Sequence, residues 1–179
     1  MVDSRRVEAD RYHTFQGVSF GGIPVAQYWC DFVLWEAILN ERADWGGIVE
    51  LGAWTGGFSL YLAAQARARG AEFRTYDATA PDREIPGFVR LDVFAEADRV
   101  GEHLRSVEPA VLFCDNGNKP RELRTFPPYL RDPASLVIVH DWGTEVLPSD
   151  VPDFLTPVYE NFCEEIGSIS RAFRVTDAA

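Results

Sequence analysis

Asp115, His140 and Asp141 each stand at the end of a strongly apolar run of the sequence. Asp115 ends AVLFCD (110–115), and the other two end SLVIVHD (135–141). Neighbouring strand ends in one sheet lie about 5 Å apart, so these side chains can converge on one point. Mg²⁺ binds one or two carboxylates, and a histidine ligand shifts the preference towards Mn²⁺, Fe²⁺ or Zn²⁺. We therefore predict a divalent metal site, with Mg²⁺ preferred and Mn²⁺ second; His140 is a ligand, a base or a satisfied strand-end residue.

A glycine-rich turn in VELGAWTGG (49–57) is the second group of residues that could do chemistry. Glycines between a strand and a helix let the backbone approach a ligand and leave helix N-terminal N–H groups free. Gly52 and Gly56 are four residues apart, and Gly57 follows, which matches neither the dinucleotide GxGxxG nor a phosphate-binding loop. Acids before the first glycine and at the ends of the next two predicted strands favour a ligand with an amine and hydroxyls; they are Glu50, Asp77 and Asp92.

The turn VELGAWTGG resembles motif I, E-x-G-x-x-x-G, of the class I S-adenosylmethionine-dependent methyltransferases. The sequence ELGAW is especially similar to that of catechol O-methyltransferase-like enzymes. The segment 20–39 together with the turn also resembles the cephalosporin hydroxylase family. The resemblance implies a Rossmann-like methyltransferase fold and S-adenosylmethionine as the cofactor. It places the methionine part of the cofactor on the turn, the ribose hydroxyls on Asp77 and the adenine amino group on Asp92. The implied cofactor-binding residues are Glu50, Gly52, Ala53, Trp54, Gly56, Gly57, Asp77, Asp92 and Asp115.

The same families have a metal site where the two apolar runs end. Catechol O-methyltransferase-like enzymes carry an aspartate after the fourth strand and an Asp-Asn pair after the fifth, and the hydroxylase-like proteins carry a Glu-Asp pair. This chain departs from both patterns with His140-Asp141. A metal there would bind a substrate hydroxyl, lower its pKa and hold its oxygen in line with the methyl group.

Lys119 comes four residues after Asp115 and resembles the lysine of the catechol enzymes, which comes three after its aspartate. It is a candidate general base, or a group that stabilises the developing negative charge; the alternative is a solvated loop lysine. Lys119 and His140 are therefore the predicted catalytic residues. His13 and His103 lack a comparable context, and we expect His103 to be exposed.

Alternating strand and helix patterns around these residues predict a doubly wound, mostly parallel α/β sheet with helices on both faces. Strands are predicted at 46–51, 72–77, 88–93, 110–115 and 135–141, and helices at 27–45, 58–70, 95–107 and 153–167, with a helix or turn at 121–130. After Gly167, RAFRVT can supply one strand at most, so we expect the last strand to be missing or completed by another subunit. We predict a single domain, 1–179, with an N-terminal segment and helix (1–45), a cofactor-binding core (46–145) and a C-terminal helix and strand (146–179).

The composition indicates which binding partners and which cell compartment are expected. The net charge of -11 disfavours nucleic acid and suits a small neutral or cationic substrate. No apolar run approaches the roughly 20 residues that span a bilayer, and the polar N-terminus lacks the apolar core of a signal peptide. Three scattered cysteines form neither a disulfide framework nor a metal pattern, so a reducing, cytoplasmic compartment is expected; they are Cys30, Cys114 and Cys163.

Three functional hypotheses follow. The leading one is an S-adenosylmethionine-dependent, divalent-metal-assisted O-methyltransferase that acts on a small hydroxylated molecule. The second is a binding or interaction protein that keeps the fold without catalysis, and the third is a nicotinamide-dependent oxidoreductase, which needs a different glycine spacing. Aromatic residues on the predicted helix at 27–42 also suggest a homodimer surface.

Overall fold

The computed structural model describes residues 18–176, and a seven-stranded sheet forms the centre of this region. A short hairpin, β1 (Ser19–Phe20) and β2 (Ile23–Pro24), precedes the sheet. The sheet strands are β3 (Gly47–Leu51), β4 (Glu72–Asp77), β5 (Phe88–Arg90), β6 (Ala110–Cys114), β7 (Leu136–Val139), β8 (Leu155–Val158) and β9 (Arg171–Val175). The helices are α1 (Trp29–Leu39), α2 (Gly57–Arg69), α3 (Ala97–Ser106), α4 (Lys119–Thr125) and α5 (Glu160–Ile166).

The strand order is β5-β4-β3-β6-β7-β9-β8, and the first five of these strands pair in parallel. The three central strands, β3, β6 and β7, consist of buried residues only. Parallel strands with both faces covered carry continuous apolar runs, which is why these segments could be recognised in the sequence.

Helices cover both faces of the sheet and divide its core into two layers. One layer packs α1, α2 and α5 against the sheet through residues such as Leu34, Leu62 and Cys163. The other packs α3 and α4 through residues such as Leu104 and Leu123. This arrangement confirms the predicted doubly wound α/β architecture.

The strand order reverses between β3 and β6, which places a crevice at their carboxyl ends. From β3 the chain runs outwards through β4 to β5, and it then returns to form β6 on the other side of β3. Ligands of open α/β sheets bind at such a switch point. The glycine turn follows β3, and Asp115 follows β6, so both flank this crevice.

The expectation of a missing last strand is wrong, because two antiparallel strands complete the sheet. β9 pairs with β7, and β8 pairs with β9 at the sheet edge. β8 lies within the segment 153–167 that was predicted as helix, and only Glu160–Ile166 of that segment is helical. Of the four residues of β8 only Leu155 is buried, and Pro157 is tolerated because β8 is an edge strand. Such a strand shows almost no hydrophobic period in the sequence.

His103 is also placed differently from expectation, since its side chain is only 9% exposed. Its Nε2 lies 2.9 Å from Glu72 Oε1, and its ring packs edge-on against Tyr76 at 5.9 Å between centroids. It therefore belongs to the covered side of α3. His13 lies outside residues 18–176. Within that range no helix is both long and apolar enough to cross a membrane.

Candidate active site

The glycine turn is packed so closely that two of its positions exclude a side chain. A Cβ at Gly52, where φ is +96°, would lie 2.4 Å from the carbonyl oxygen of Asp115. A Cβ at Gly57 would lie 2.2 Å from the carbonyl oxygen of Pro24 in the β1–β2 hairpin. The turn is thus wedged between the hairpin and the end of β6, and it leads directly into α2, whose first residue is Gly57.

A cavity of about 240 Å³ opens beside this turn. Among the predicted cofactor residues, five line it: Glu50, Gly52, Ala53, Trp54 and Asp115. Gly56 and Gly57 lie in the turn itself without lining the cavity. The rest of the lining includes Val25, Gln27 and Phe58. The structure therefore brings the centre of the predicted cofactor set together around one cavity.

The two strand-end acids, Asp77 and Asp92, do not line the cavity. Asp77 accepts hydrogen bonds through Oδ2 from the backbone N–H groups of Ala53 and Trp54, at 3.0 and 3.1 Å. Its carboxylate therefore holds the glycine turn in position. Asp92 is exposed, and its Oδ1 accepts hydrogen bonds from the N–H groups of Phe94 and Ala95. Both assignments, ribose for Asp77 and adenine for Asp92, stay predictions.

Glu50 is a buried acid that forms part of the cavity wall. Only 1% of its surface is exposed, and the hydroxyl of Ser59 donates a hydrogen bond to its Oε2. Burial raises the pKa of Glu50 to about 8, and the hydrogen bond from the Ser59 hydroxyl opposes this rise only in part. At neutral pH this carboxyl is therefore largely protonated until a positive group comes close to it.

An acidic centre lies at the end of β6 and β7, where the metal site was predicted. One ligand atom from each of Asp115, His140 and Asp141 can be chosen so that all three lie within 4.8 Å of one another. His140 Nδ1 is 3.4 Å from Asp115 Oδ1 and 3.3 Å from Asp141 Oδ1. The two strands that carry these residues pair side by side, as the sequence prediction required.

Asp31 of α1 is a member of this centre that sequence reasoning missed. It is fully buried, and its Oδ2 lies 3.7 Å from His140 Nε2. Its carboxylate also accepts hydrogen bonds from the Tyr28 N–H at 2.9 Å and from the Ser168 hydroxyl at 2.6 Å. The available signal was a single acid inside the apolar segment WCDFVLW (29–35).

The carboxylates around His140 favour the protonated form of its imidazole. Burial by itself lowers the pKa of the imidazole, but the carboxylates of Asp115, Asp141 and Asp31 outweigh burial and raise the pKa well above its usual value. An imidazole nitrogen that holds a proton cannot bind a metal. His140 is a ligand candidate only after that proton leaves.

Lys119 lies between three carboxylates, with its side chain only 4% exposed. Its Nζ is 3.2 Å from Asp115 Oδ1, 2.9 Å from Asp141 Oδ2 and 2.8 Å from Glu145 Oε2. Burial lowers the pKa of Lys119, but these carboxylates more than compensate and raise the pKa above its usual value. The alternative of a solvated loop lysine does not describe this side chain.

Glu145 reaches Lys119 because the chain turns sharply after β7. Asp141 has φ of 59°, in the left-handed region, and its carbonyl oxygen accepts the N–H groups of Thr144, Glu145 and Val146. This turn, residues 141–146, folds Glu145 back over the acidic centre. Sequence reasoning missed Glu145, because its position depends on one left-handed residue.

The donor set of the acidic centre fits a divalent cation. Two carboxylates converge there, and oxygen ligands of this kind suit Mg²⁺ and Mn²⁺. The carboxylates of Asp31, Asp115, Asp141 and Glu145 outnumber the cations Lys119 and His140 by two, which matches the charge of such an ion.

The cofactor cavity and the acidic centre share Asp115. The same carboxylate lines the cavity, lies near Lys119 and His140, and accepts a hydrogen bond from Gln27 Nε2 at 2.8 Å. Gln27 is 3% exposed and is a further site residue that the sequence did not single out. A ligand in the cavity would therefore meet the acidic centre at Asp115.

Comparisons with known proteins identify solved structures with a similar fold. No protein-family model and no curated protein matches the sequence. The solved structure described as "cmcI-N160 SAH" has a TM-score of 0.69 and 17% identity, and the match covers 95% of this chain and 90% of that one. The one described as "CmcI-N160 apo-structure" has a TM-score of 0.61 and 15% identity, covering 97% and 84% respectively. At these identities the likeness shows the fold, which is the Rossmann-like methyltransferase fold implied by the resemblance.

Proposed function

We propose that this protein is an S-adenosylmethionine-dependent methyltransferase that methylates a hydroxyl group of a small molecule with the help of a divalent metal. The observation that carries the proposal is the cavity beside the glycine turn, which ends on Asp115 of the acidic centre. A similar fold is known with SAH, the product form of that cofactor, in the structure described as "cmcI-N160 SAH".

The glycine turn and Glu50 fit the methionine end of the cofactor. Gly52 lets the chain pass close to the ligand, and the N-terminus of α2 presents N–H groups with a favourable dipole for the carboxylate. Glu50 supplies a carboxyl group for the ammonium of the methionine end. The methyl-bearing sulfonium would then point towards Asp115, where the acceptor binds.

Asp115 and Asp141 are the residues that would hold the metal, with His140 as a further ligand once it loses its proton. A divalent cation there would lower the pKa of the acceptor hydroxyl and so provide the nucleophile at neutral pH.

The chain's own groups position the acceptor and stabilise charge during transfer. The hydroxyl proton leaves to solvent, the acceptor oxygen forms a bond to the methyl carbon, and the carbon–sulfur electron pair moves to sulfur, which becomes neutral. Lys119 keeps its proton, so it does not act as a base; its positive charge, held beside Glu145, would favour the negative oxygen through space.

The experiment is methyl transfer to a panel of hydroxylated compounds, together with calorimetric titration of S-adenosylhomocysteine. We expect binding of S-adenosylhomocysteine and transfer to at least one acceptor, and we expect EDTA or Asp141→Asn to abolish transfer. Asp153→Asn is the matched control, since Asp153 is exposed on the loop before β8. Absence of S-adenosylhomocysteine binding at millimolar concentration would contradict the proposal, and nicotinamide cofactor binding instead would favour an oxidoreductase.

Binding of S-adenosylhomocysteine without transfer to any acceptor would point to the second candidate function, a non-catalytic binding protein. One observation favours keeping this candidate: Lys119 and His140 already compensate half of the negative charge in the acidic centre.

A further inference from the structure

Lys119 is the only lysine among the 17 basic residues of the chain, and the others are arginines. Its ammonium group contacts one carboxylate oxygen from each of Asp115, Asp141 and Glu145, at distances from 2.8 to 3.2 Å. A compact ammonium ion can approach three oxygens at once, whereas a planar guanidinium presents its donors in a fixed fork. The centre thus carries the one basic side chain that most resembles a small cation.

The ammonium group binds the same two carboxylates as the proposed metal. Asp115 and Asp141, the residues that would hold the metal, are the residues whose carboxylates now contact Lys119 Nζ. Two cations bound by the same two carboxylates repel each other strongly in a partly buried site. Lys119 therefore cannot keep both contacts while a divalent cation holds the same carboxylates.

Glu145 offers Lys119 a third partner outside the predicted ligand set. It is the most exposed of the three carboxylates, with 54% of its side chain exposed, and it lies on the turn after β7. The lysine stem is flexible, so the ammonium group can move towards Glu145 and solvent without unfolding α4.

We propose that Lys119 is the internal counter-ion of the metal-free acidic centre, and that a divalent cation binds only by displacing its ammonium group from Asp115 and Asp141. This inference rests on the metal-binding part of the proposed function. In the absence of metal Lys119 holds the two carboxylates together, and it thereby weakens the binding of any metal that enters.

The first test measures Mn²⁺ binding by electron paramagnetic resonance in the wild-type protein, Lys119→Met and Arg121→Met. Arg121→Met is the matched control, because this substitution removes the same charge two residues further along α4. The guanidinium of Arg121 lies over the Phe94 ring, 4.0 Å from its centroid. We expect Lys119→Met to bind Mn²⁺ about tenfold more tightly or better, and Arg121→Met to stay within about twofold of wild type. Equal affinity in Lys119→Met and wild type, an equal gain in Arg121→Met, or no Mn²⁺ binding in any protein would overturn the proposal.

A second test uses the wild-type protein alone and remains decisive where Lys119→Met fails to fold. Acetic anhydride labels free amines, and mass spectrometry then reports one lysine without interference from others. We expect slow acetylation of Lys119 without metal and at least fivefold faster acetylation at Mn²⁺ concentrations that saturate the protein. An unchanged rate at saturation would show that Lys119 is not displaced.

Neither assay contains the methyl donor or an acceptor. A chain that gains Mn²⁺ affinity on Lys119→Met but binds no S-adenosylhomocysteine supports the displacement while the methyltransferase proposal fails. If the protein binds S-adenosylhomocysteine but Lys119→Met gains no Mn²⁺ affinity, the methyltransferase proposal stands and the counter-ion proposal fails.

Discussion

At the scale of single residues, the ionisable side chains of Glu50 and Lys119 differ in whether an opposite charge lies beside them. Lys119 has three carboxylates at hydrogen-bonding distance, whereas Glu50 has one hydroxyl donor, Ser59, and the pKa of its carboxyl is raised to about 8 by burial. A buried acid without a counter-charge is held neutral. Glu50 therefore suits a cationic ligand, whereas the charge of Lys119 is already balanced by its partners.

We predict that binding of S-adenosylhomocysteine releases a proton from Glu50. The ligand ammonium stabilises the carboxylate, so the pKa of Glu50 in the complex falls below the value of about 8 in the free protein. Affinity should therefore rise with pH from about 6 and level off near 8. Calorimetry in two buffers of different ionisation enthalpy counts the proton at pH 7. The isosteric variant Glu50→Gln should show no such release, and an equal release from it would contradict the assignment.

Several site residues could be predicted from the sequence, and others could not. Asp115 and Asp141 follow apolar strands, so strand pairing alone brings them together. Asp31 and Gln27 reach the same place through the packing of α1 and the segment before it, which no local pattern encodes. Glu145 depends on the left-handed backbone of one residue.

At the scale of elements, α1 is joined to the end of β7 through an ion pair inside the protein. Asp31 faces His140 Nε2 on one side and binds the Ser168 hydroxyl on the other. Ser168 stands between α5 and β9, so one carboxylate connects three elements. The apolar strands could be predicted, whereas this connection and the edge strand β8 could not, because neither leaves a periodic pattern.

We predict that Asp31→Asn destabilises the protein by roughly 3–5 kcal/mol, since it leaves the His140 cation buried with one partner fewer. Urea denaturation at pH 6.5 measures the loss. The pair also sets a pH window. Because the pKa of Asp31 is lowered, its contribution is lost as the pH falls below about 3.8, and because the pKa of His140 is raised, its contribution is present below about 6.5 and lost well above that value. A change under 1 kcal/mol would show that the pair does not stabilise the fold.

We also predict that Gly57→Ala raises the Kd for S-adenosylhomocysteine at least tenfold. The added Cβ would lie 2.2 Å from the backbone oxygen of Pro24, so the hairpin or the turn must move. Gly70→Ala is the control, because Gly70 ends α2 at φ +72° with no atom within 4 Å of an added Cβ. It should cost about 1 kcal/mol of stability and leave the Kd unchanged. Equal Kd values for both variants would argue against the turn as the binding element.

At the scale of the whole molecule, an acidic protein exposes an apolar helix face. The net charge is -11, yet on α1 the side chains of Trp29 and Val33, one turn apart, are 51% and 44% exposed. Apolar residues that follow each other on one helix face suit contact with another surface. The homodimer expected from the sequence stays a prediction.

Light scattering with size-exclusion chromatography tests that prediction directly. We expect about twice the mass of 20.1 kDa for the wild-type protein and the monomer mass for Trp29→Glu. Leu147→Glu is a control with a similarly exposed apolar side chain, at 48%, on the loop after β7. A wild-type mass of one chain at high concentration would exclude the dimer.

The left-handed backbone of Asp141 limits how this site can change in evolution. Aspartate and asparagine tolerate that conformation, whereas glutamate and alanine are strained in it. A mutant that exchanges the carboxylate for an amide keeps the turn and with it Glu145, but a mutant that lengthens the acid by one methylene puts both at risk. Glycine also tolerates this conformation, so aspartate, asparagine and glycine keep the turn, and of these only aspartate keeps the carboxylate.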